Sequence, residues 1–332
     1  MTEHDAPAGS AGEHHEWERI RTREDYLARC ADVAFGDADG ASIATSDGRI
    51  TGEFGGQELV GTWEWEGEFF ARTSRLGDFD LGRDELVIEV DGDRMRLTLE
   101  RGAGPTVVYD RLTDPPGAVI SIVSSFDIHE AQVDRFIAAM VGNQQVVRAE
   151  PGNLEMRLFQ DVASPGTFFV LGRTDGAAGL EAHVEETEDR GIADEVAPAL
   201  RTPPVTMELH ELLPPRDRTA GQRRERPDDL IVFGVFDLEP GRRDEVLRTY
   251  ELQVLAVRRS PASVGFEVYA VDGDPDRVLV VERWSDADAA QEFATTVPRS
   301  IATGALLAEA VTGDLASAMH VVREIDPPTR AG

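Results

Sequence analysis

The chain has 332 residues, 41% of them hydrophobic, enough for two or three compact cores. It carries 63 acidic against 33 basic residues, a net charge of −30, and every one of those basic residues is arginine. Such a surface repels phosphate backbones and anionic lipid, which argues against nucleic acid or membranes as partners.

No apolar run approaches the ~18 residues of a membrane span, and the first residues lack the basic start and apolar stretch of a signal peptide. A cytoplasmic protein is expected. The lone cysteine, Cys30, excludes an internal disulfide and reads as a buried structural thiol.

Residues 1–16 are small and polar, a disordered tail in which His4, His14 and His15 are solvated. From 17 to 35 the spacing of Trp17, Ile20, Leu27, Ala31 and Ala34 predicts one amphipathic helix. The period then changes to two, in runs such as LVGTWEWEGEFFARTSR and ELVIEVDGDRMRLTLERG broken by Ser-Asp-Gly, Glu-Gly and Asp-Gly-Asp turns. This predicts five or six antiparallel strands closing on the helix as a small open barrel, a domain over 17–114. Its aromatics Phe54, Trp63, Trp65, Phe69 and Phe70 line either a core or a ligand cavity, core packing being the commoner fate.

Asp114-Pro115-Pro116-Gly117 marks a boundary. Over 117–213 the order is strand, helix, two strands, helical region from about 177 to 200, strand, which is the ferredoxin-like βαββαβ arrangement. A basic, Pro-containing linker covers 214–228, and the same order returns over 229–326. Phe126 and Phe236, Asp134 and Asp244, Arg148 and Arg258, Pro151 and Pro261, Val170 and Val280, Arg173 and Arg283, and His210 and His320 all stand 110 residues apart. One register held through strand, helix and turn is the mark of internal duplication.

The first copy has a helix ending at Glu150-Pro151-Gly152 and an Ala182-His183 pair, with Thr174 closing its third strand. The second copy ends that strand at Glu282-Arg283-Trp284 and has Phe293 opposite His183. Taken together these segments resemble the antibiotic biosynthesis monooxygenase family, whose domains combine the Pro-Gly turn, a Glu-x-Trp strand end and the Ala-His pair. Here that signature is divided between the copies. The resemblance implies an α+β fold, a dimeric α+β barrel with both halves in one chain, so that the barrel is an intramolecular pseudo-dimer behind a small β-barrel-like domain.

It also implies a function: similar proteins include cofactor-independent oxygenases that turn phenolic or anthrone-like polyketides into quinones, and relatives that degrade haem. On that basis Trp284 and His183 are the candidate catalytic residues, Trp284 orienting an aromatic substrate and His183 serving as base or donor. Arg173 and Arg283 would hold an oxyanion, and His210 and His320 complete a substrate-binding set.

Each residue also has a structural reading. Trp284 caps a core, His183 is solvated among Glu181, Glu185 and Glu186, His210 and His320 are buried and hydrogen-bonded, and the arginines pair with Glu155 or Glu267. Haem chemistry would require a site composed across both copies. No P-loop, dinucleotide fingerprint, nucleophile elbow or zinc-helix motif appears. Two function classes therefore stand: a monooxygenase acting without metal or other cofactor on an aromatic small molecule inside the duplicated barrel, or a non-catalytic binding or sensing protein on the same scaffold. Either takes a small apolar ligand, and homo-oligomerisation is left open.

Overall fold

The computed structural model describes residues 16–114, 119–215 and 225–325. The histidines of the N-terminal tail, Pro115-Pro116-Gly117 and most of the inter-repeat linker lie outside the described residues.

The segment expected to form one helix divides into β1 (Glu18–Ile20), α1 (Arg23–Arg29) and β2 (Ala34–Gly36). Thr22 caps α1, its hydroxyl accepting from the Asp25 N–H, and Asp32 at φ 58 turns the chain away after it. The helix-like spacing arose because Ile20, Tyr26, Cys30, Ala31 and Val33 all face one interior. Cys30 is 1% exposed there, and burial pushes its thiol up to about 12, which leaves it an inert core residue.

The strands that follow are β3 (Gly40–Ala44), β4 (Arg49–Phe54), β5 (Gln57–Glu66), β6 (Phe69–Leu76), β7 (Phe79–Asp91), β8 (Arg94–Thr98) and β9 (Thr106–Arg111). Two-residue hairpins at Gly67-Glu68 and Gly92-Asp93 use glycines at φ 61 and 55, as tight antiparallel turns require. The sheet runs β7-β6-β5-β4-β3-β2-β9-β8 and closes where β8 returns to β7, while β1 adds to the end of β7. This is a closed barrel, larger than the five or six strands read from the sequence. Trp63 and Phe70 stack at 5.1 Å and Tyr26 of α1 meets both at 4.9 Å, so these aromatics, with Trp65 and Phe54 packed against them, are core, whereas Phe69 lies outside it beneath Arg19 and Arg101.

The second barrel takes four strands from each repeat. The first repeat supplies β10 (Val119–Asp127), α2 (Val133–Val147), β11 (Asn153–Asp161), β12 (Thr167–Asp175), α3 (Gly176–Arg190), α4 (Ile192–Val196) and β13 (Val205–Glu211). The second supplies β14 (Leu230–Asp237), α5 (Arg243–Arg259), β15 (Ser263–Val271), β16 (Arg277–Trp284), α6 (Ala287–Thr296), α7 (Pro298–Ala310) and β17 (Met319–Ile325). The closed order is β10-β12-β11-β17-β14-β16-β15-β13, so the repeats join edge to edge through β11–β17 and β13–β15.

Both faces of these strands are buried. Phe159, Phe169, Leu171, Leu209, Phe233, Leu279 and Val281 fill the lumen, whereas alternate residues such as Leu158 and Val170, or Val268 and Val280, pack under the helices.

The duplication is visible in backbone detail. Thr174 pairs with Ile120 and Asn153 as Trp284 pairs with Leu230 and Ser263, and a register shift follows Asn153 in one copy and Ser263 in the other. The last strand breaks the 110-residue register. Met207 lies opposite Val123 where His320 lies opposite Phe233, so His320 corresponds to Met207 and the offset has grown to 113. His210 and His320 are therefore not equivalent positions.

Candidate active site

The lumen is apolar at its centre and ionic at one end. Arg173 is 2% exposed and binds Glu155, Glu267 and the Tyr269 hydroxyl, the last at 2.6 Å. Arg157 binds Glu324 at 2.8 Å, Glu155 at 3.2 Å and Glu225 at 2.9 Å. Arg283 binds the same Glu225 and Glu324 at 2.8 and 2.6 Å. Burial raises the Glu324 carboxyl, but its hydrogen bonds and charge contacts with Arg157 and Arg283 outweigh that and hold it below the usual range.

Arg157 in the first repeat stands where Glu267 stands in the second, so the copies carry opposite charges at this level and bind across the seam. The ion pairs anticipated for Arg173 form with both named carboxylates, and those of Arg283 form with Glu225 and Glu324 instead.

Outside the lumen, between sheet and helices, the two repeats differ. In the second, Trp284 is 2% exposed, its Nε1–H donates to Glu282 at 2.8 Å, and its ring meets that of Phe293 on α6 at 5.1 Å. Burial raises the Glu282 carboxyl above its usual range, and the bond from Trp284 offsets part of that. Trp284 and Phe293 thus fill their space.

In the first repeat the same positions carry Thr174 and His183, and a cavity of about 60 Å³ remains, lined by Ile122, Met156 and Val170 with Asn153, Thr174 and His183. His183 Nδ1 lies 2.8 Å from a Glu150 carboxylate oxygen, and Arg190 holds the other oxygen at 2.5 Å. A carboxylate accepts from Nδ1–H, which fixes the ring and leaves Nε2 as an acceptor for a substrate proton.

Neither of the other two predicted histidines reaches this cavity. His320 Nδ1 is 2.7 Å from Asp161, beside the Phe169 ring. His210 is exposed, with Nε2 3.6 Å from Asp272. Arg173 borders the cavity, but its guanidinium is committed inside the lumen. Sequence reasoning missed Glu150 as the partner of His183, although it begins the quoted Glu-Pro-Gly turn. It also missed Asn153, the first residue of β11.

Eight strands closed around an apolar lumen, four from each half and with helices outside, define a dimeric α+β barrel. Residues 119–190 and 229–297 match, in tandem, the sequence profile of the antibiotic biosynthesis monooxygenase family. Similar solved structures include one described as a candidate monooxygenase from Lactobacillus acidophilus NCFM, with 11% identity over 62% of this chain and 94% of that one and a TM-score of 0.50. Another, described likewise, comes from Fusobacterium nucleatum subsp. nucleatum ATCC 25586, with 10% identity, 63% and 94% coverage and a TM-score of 0.53. At these identities the likeness shows the fold. No curated protein matches the chain.

Proposed function

We propose that the protein is a one-site oxygenase that takes a phenolic or anthrone-like molecule between the sheet and α3 of the first repeat and oxidises it with dioxygen. The observation that carries this reading is the asymmetry: a cavity beside a Glu150-oriented His183 in one repeat, and Trp284 with Phe293 occupying the counterpart in the other. The structural role of Trp284 and the ion-paired arginines leave His183 as the residue at the reacting centre, with Asn153 and Thr174 as polar neighbours.

His183 Nε2 takes the phenolic proton, and the electron-rich anion then reduces dioxygen. The overall change is a ring CH2 plus O2 giving C=O plus H2O, which needs no other co-reactant. A cavity of about 60 Å³ holds about two water molecules, so a ring system enters only if α3 moves. That helix is suited to it: Gly179 is its only fully buried residue, resting against Gly152, and glycines at φ 65 stand at both its ends.

The small cavity is also the observation that favours the second reading, a non-catalytic binding protein. Each repeat is read as a ferredoxin-like unit, supported by the strand order fourth-first-third-second in both. Action in the cytoplasm on a small molecule belongs to the same proposal; among the described residues no helix is long and apolar enough to cross a membrane. The test is oxygen uptake with 1,8-dihydroxyanthrone as substrate. The oxygenase reading expects turnover that falls at least tenfold, about 1.4 kcal/mol, in His183→Ala. Saturable binding without uptake favours the second reading.

A further inference from the structure

The two barrels meet through a shared apolar core: Ala34, Ala41 and Ile43 of the first pack with Leu213, Val246 and Val254 of the second. Beside that contact lies a cleft of about 210 Å³, with apolar walls from Ile43, Leu212, Leu213, Leu247 and Ala270. A domain junction with apolar walls and a few convergent polar groups is a common setting for a ligand site. An apolar cavity of about 150 Å³ suffices for benzene, so this cleft accommodates a ring with a short side chain.

Its polar groups carry a surplus of negative charge. Glu251 is bound by Arg49 at 3.2 Å and 3.4 Å, and Glu211 by Arg258 at 3.2 Å. Asp47 shares Arg49. His210, which lines the cleft, lies near the carboxylates of Glu208 and Asp272, the side-chain polar atoms of the three within 4.8 Å of one another. Asp32 faces the cleft with one carboxylate oxygen accepting from the Ser46 N–H at 2.9 Å, and among the described residues no arginine or histidine pairs with it. Three carboxylates thus line the cleft, Asp32, Glu211 and Glu251, beside one imidazole, His210, in a chain whose net charge is −30. An anionic ligand would meet repulsion here, and a neutral one would leave Asp32 without a counter-charge.

We propose that this cleft binds a small organic cation, an aromatic or aliphatic primary amine whose apolar body lies on Ile43, Leu212 and Leu247 and whose ammonium group reaches Asp32. The site is separate from the His183 cavity, and a ligand in it touches both barrels.

Calorimetric titration of the full chain with 2-phenylethylamine tests this, with 2-phenylethanol and 3-phenylpropionate as neutral and anionic counterparts. The expected result is saturable binding of one amine per chain, at least tenfold weaker for both counterparts. Asp32→Asn should weaken the amine at least tenfold; asparagine tolerates the left-handed backbone at this position, so the fold is kept. Leu247→Trp, which fills the cleft, should abolish binding, and His183→Ala should leave it unchanged. Equal affinity for the alcohol overturns the proposal, as does undiminished amine binding in Asp32→Asn, or loss of it in His183→Ala.

Discussion

Replacing Trp284 by alanine separates a core residue from a catalytic one. The side chain is 2% exposed, packs on Phe293, and supplies the hydrogen bond to the part-buried Glu282 carboxyl. Truncating a buried tryptophan costs about 3–5 kcal/mol in lost transfer energy and cavity. Leaving Glu282 without its donor adds about 1–3 kcal/mol. The sum, about 4–8 kcal/mol, rivals the whole stability of an ordinary domain. With a urea dependence of about 2 kcal/mol/M, even the lower figure moves the unfolding midpoint of the second barrel by about 2 M. Trp284→Phe keeps most of the apolar surface and should lose only the hydrogen-bond part, about 1–3 kcal/mol. The assay is urea unfolding followed by circular dichroism, with oxygen uptake measured on the same preparations. A Trp284→Ala protein within about 1 kcal/mol of the wild type that has nevertheless lost oxygen uptake would refute the plug and return Trp284 to the substrate.

Glu282 also predicts a pH effect. Its folded-state value is raised above the usual 4.5, so stability falls as pH rises from that value through the folded one, and the penalty is complete above it. Glu282→Gln keeps the acceptor for Trp284 and cannot ionise, so it should raise the melting temperature more at pH 8.5 than at pH 5; equal changes at both would exclude a buried charge. Arg157→Met leaves Glu324 and Glu225 short of a counter-charge at the barrel end and should cost about 3–5 kcal/mol, visible as a lower midpoint with the far-UV spectrum unchanged. The net charge of −30 predicts that raising monovalent salt from about 0.01 M to 1 M, which shortens the Debye length from about 30 to 3 Å, raises the melting temperature; a flat response would show that repulsion among the carboxylates does not limit stability.

Side-chain pattern recorded the duplication well, because strands buried on both faces and a repeated Pro-containing turn constrain every position between Phe126 and Trp284. It failed in the last strand, where three extra residues in the helical region shift the pairing while a chance histidine keeps the 110-residue spacing. At the N-terminus, Trp17 to Ala34 has helical spacing although only Arg23–Arg29 is α-helix; a strand on either side of a short helix can face the same interior. The candidate site was half legible. His183 and Trp284 stood out, but their opposite fates depend on what lies across from them, Glu150 for one and Glu282 with Phe293 for the other. The ionic barrel end joins residues as far apart as Arg157 and Glu324, a pairing that only the closed sheet creates.

The central claim, that one repeat holds the site and the other is filled by its own side chains, is tested most directly by counting ligands. Anaerobic equilibrium titration with 1,8-dihydroxyanthrone should give one equivalent per chain, and Thr174→Trp, which builds the second repeat's plug into the first, should weaken binding at least tenfold. Two equivalents per chain, or binding that Thr174→Trp leaves intact, would contradict it.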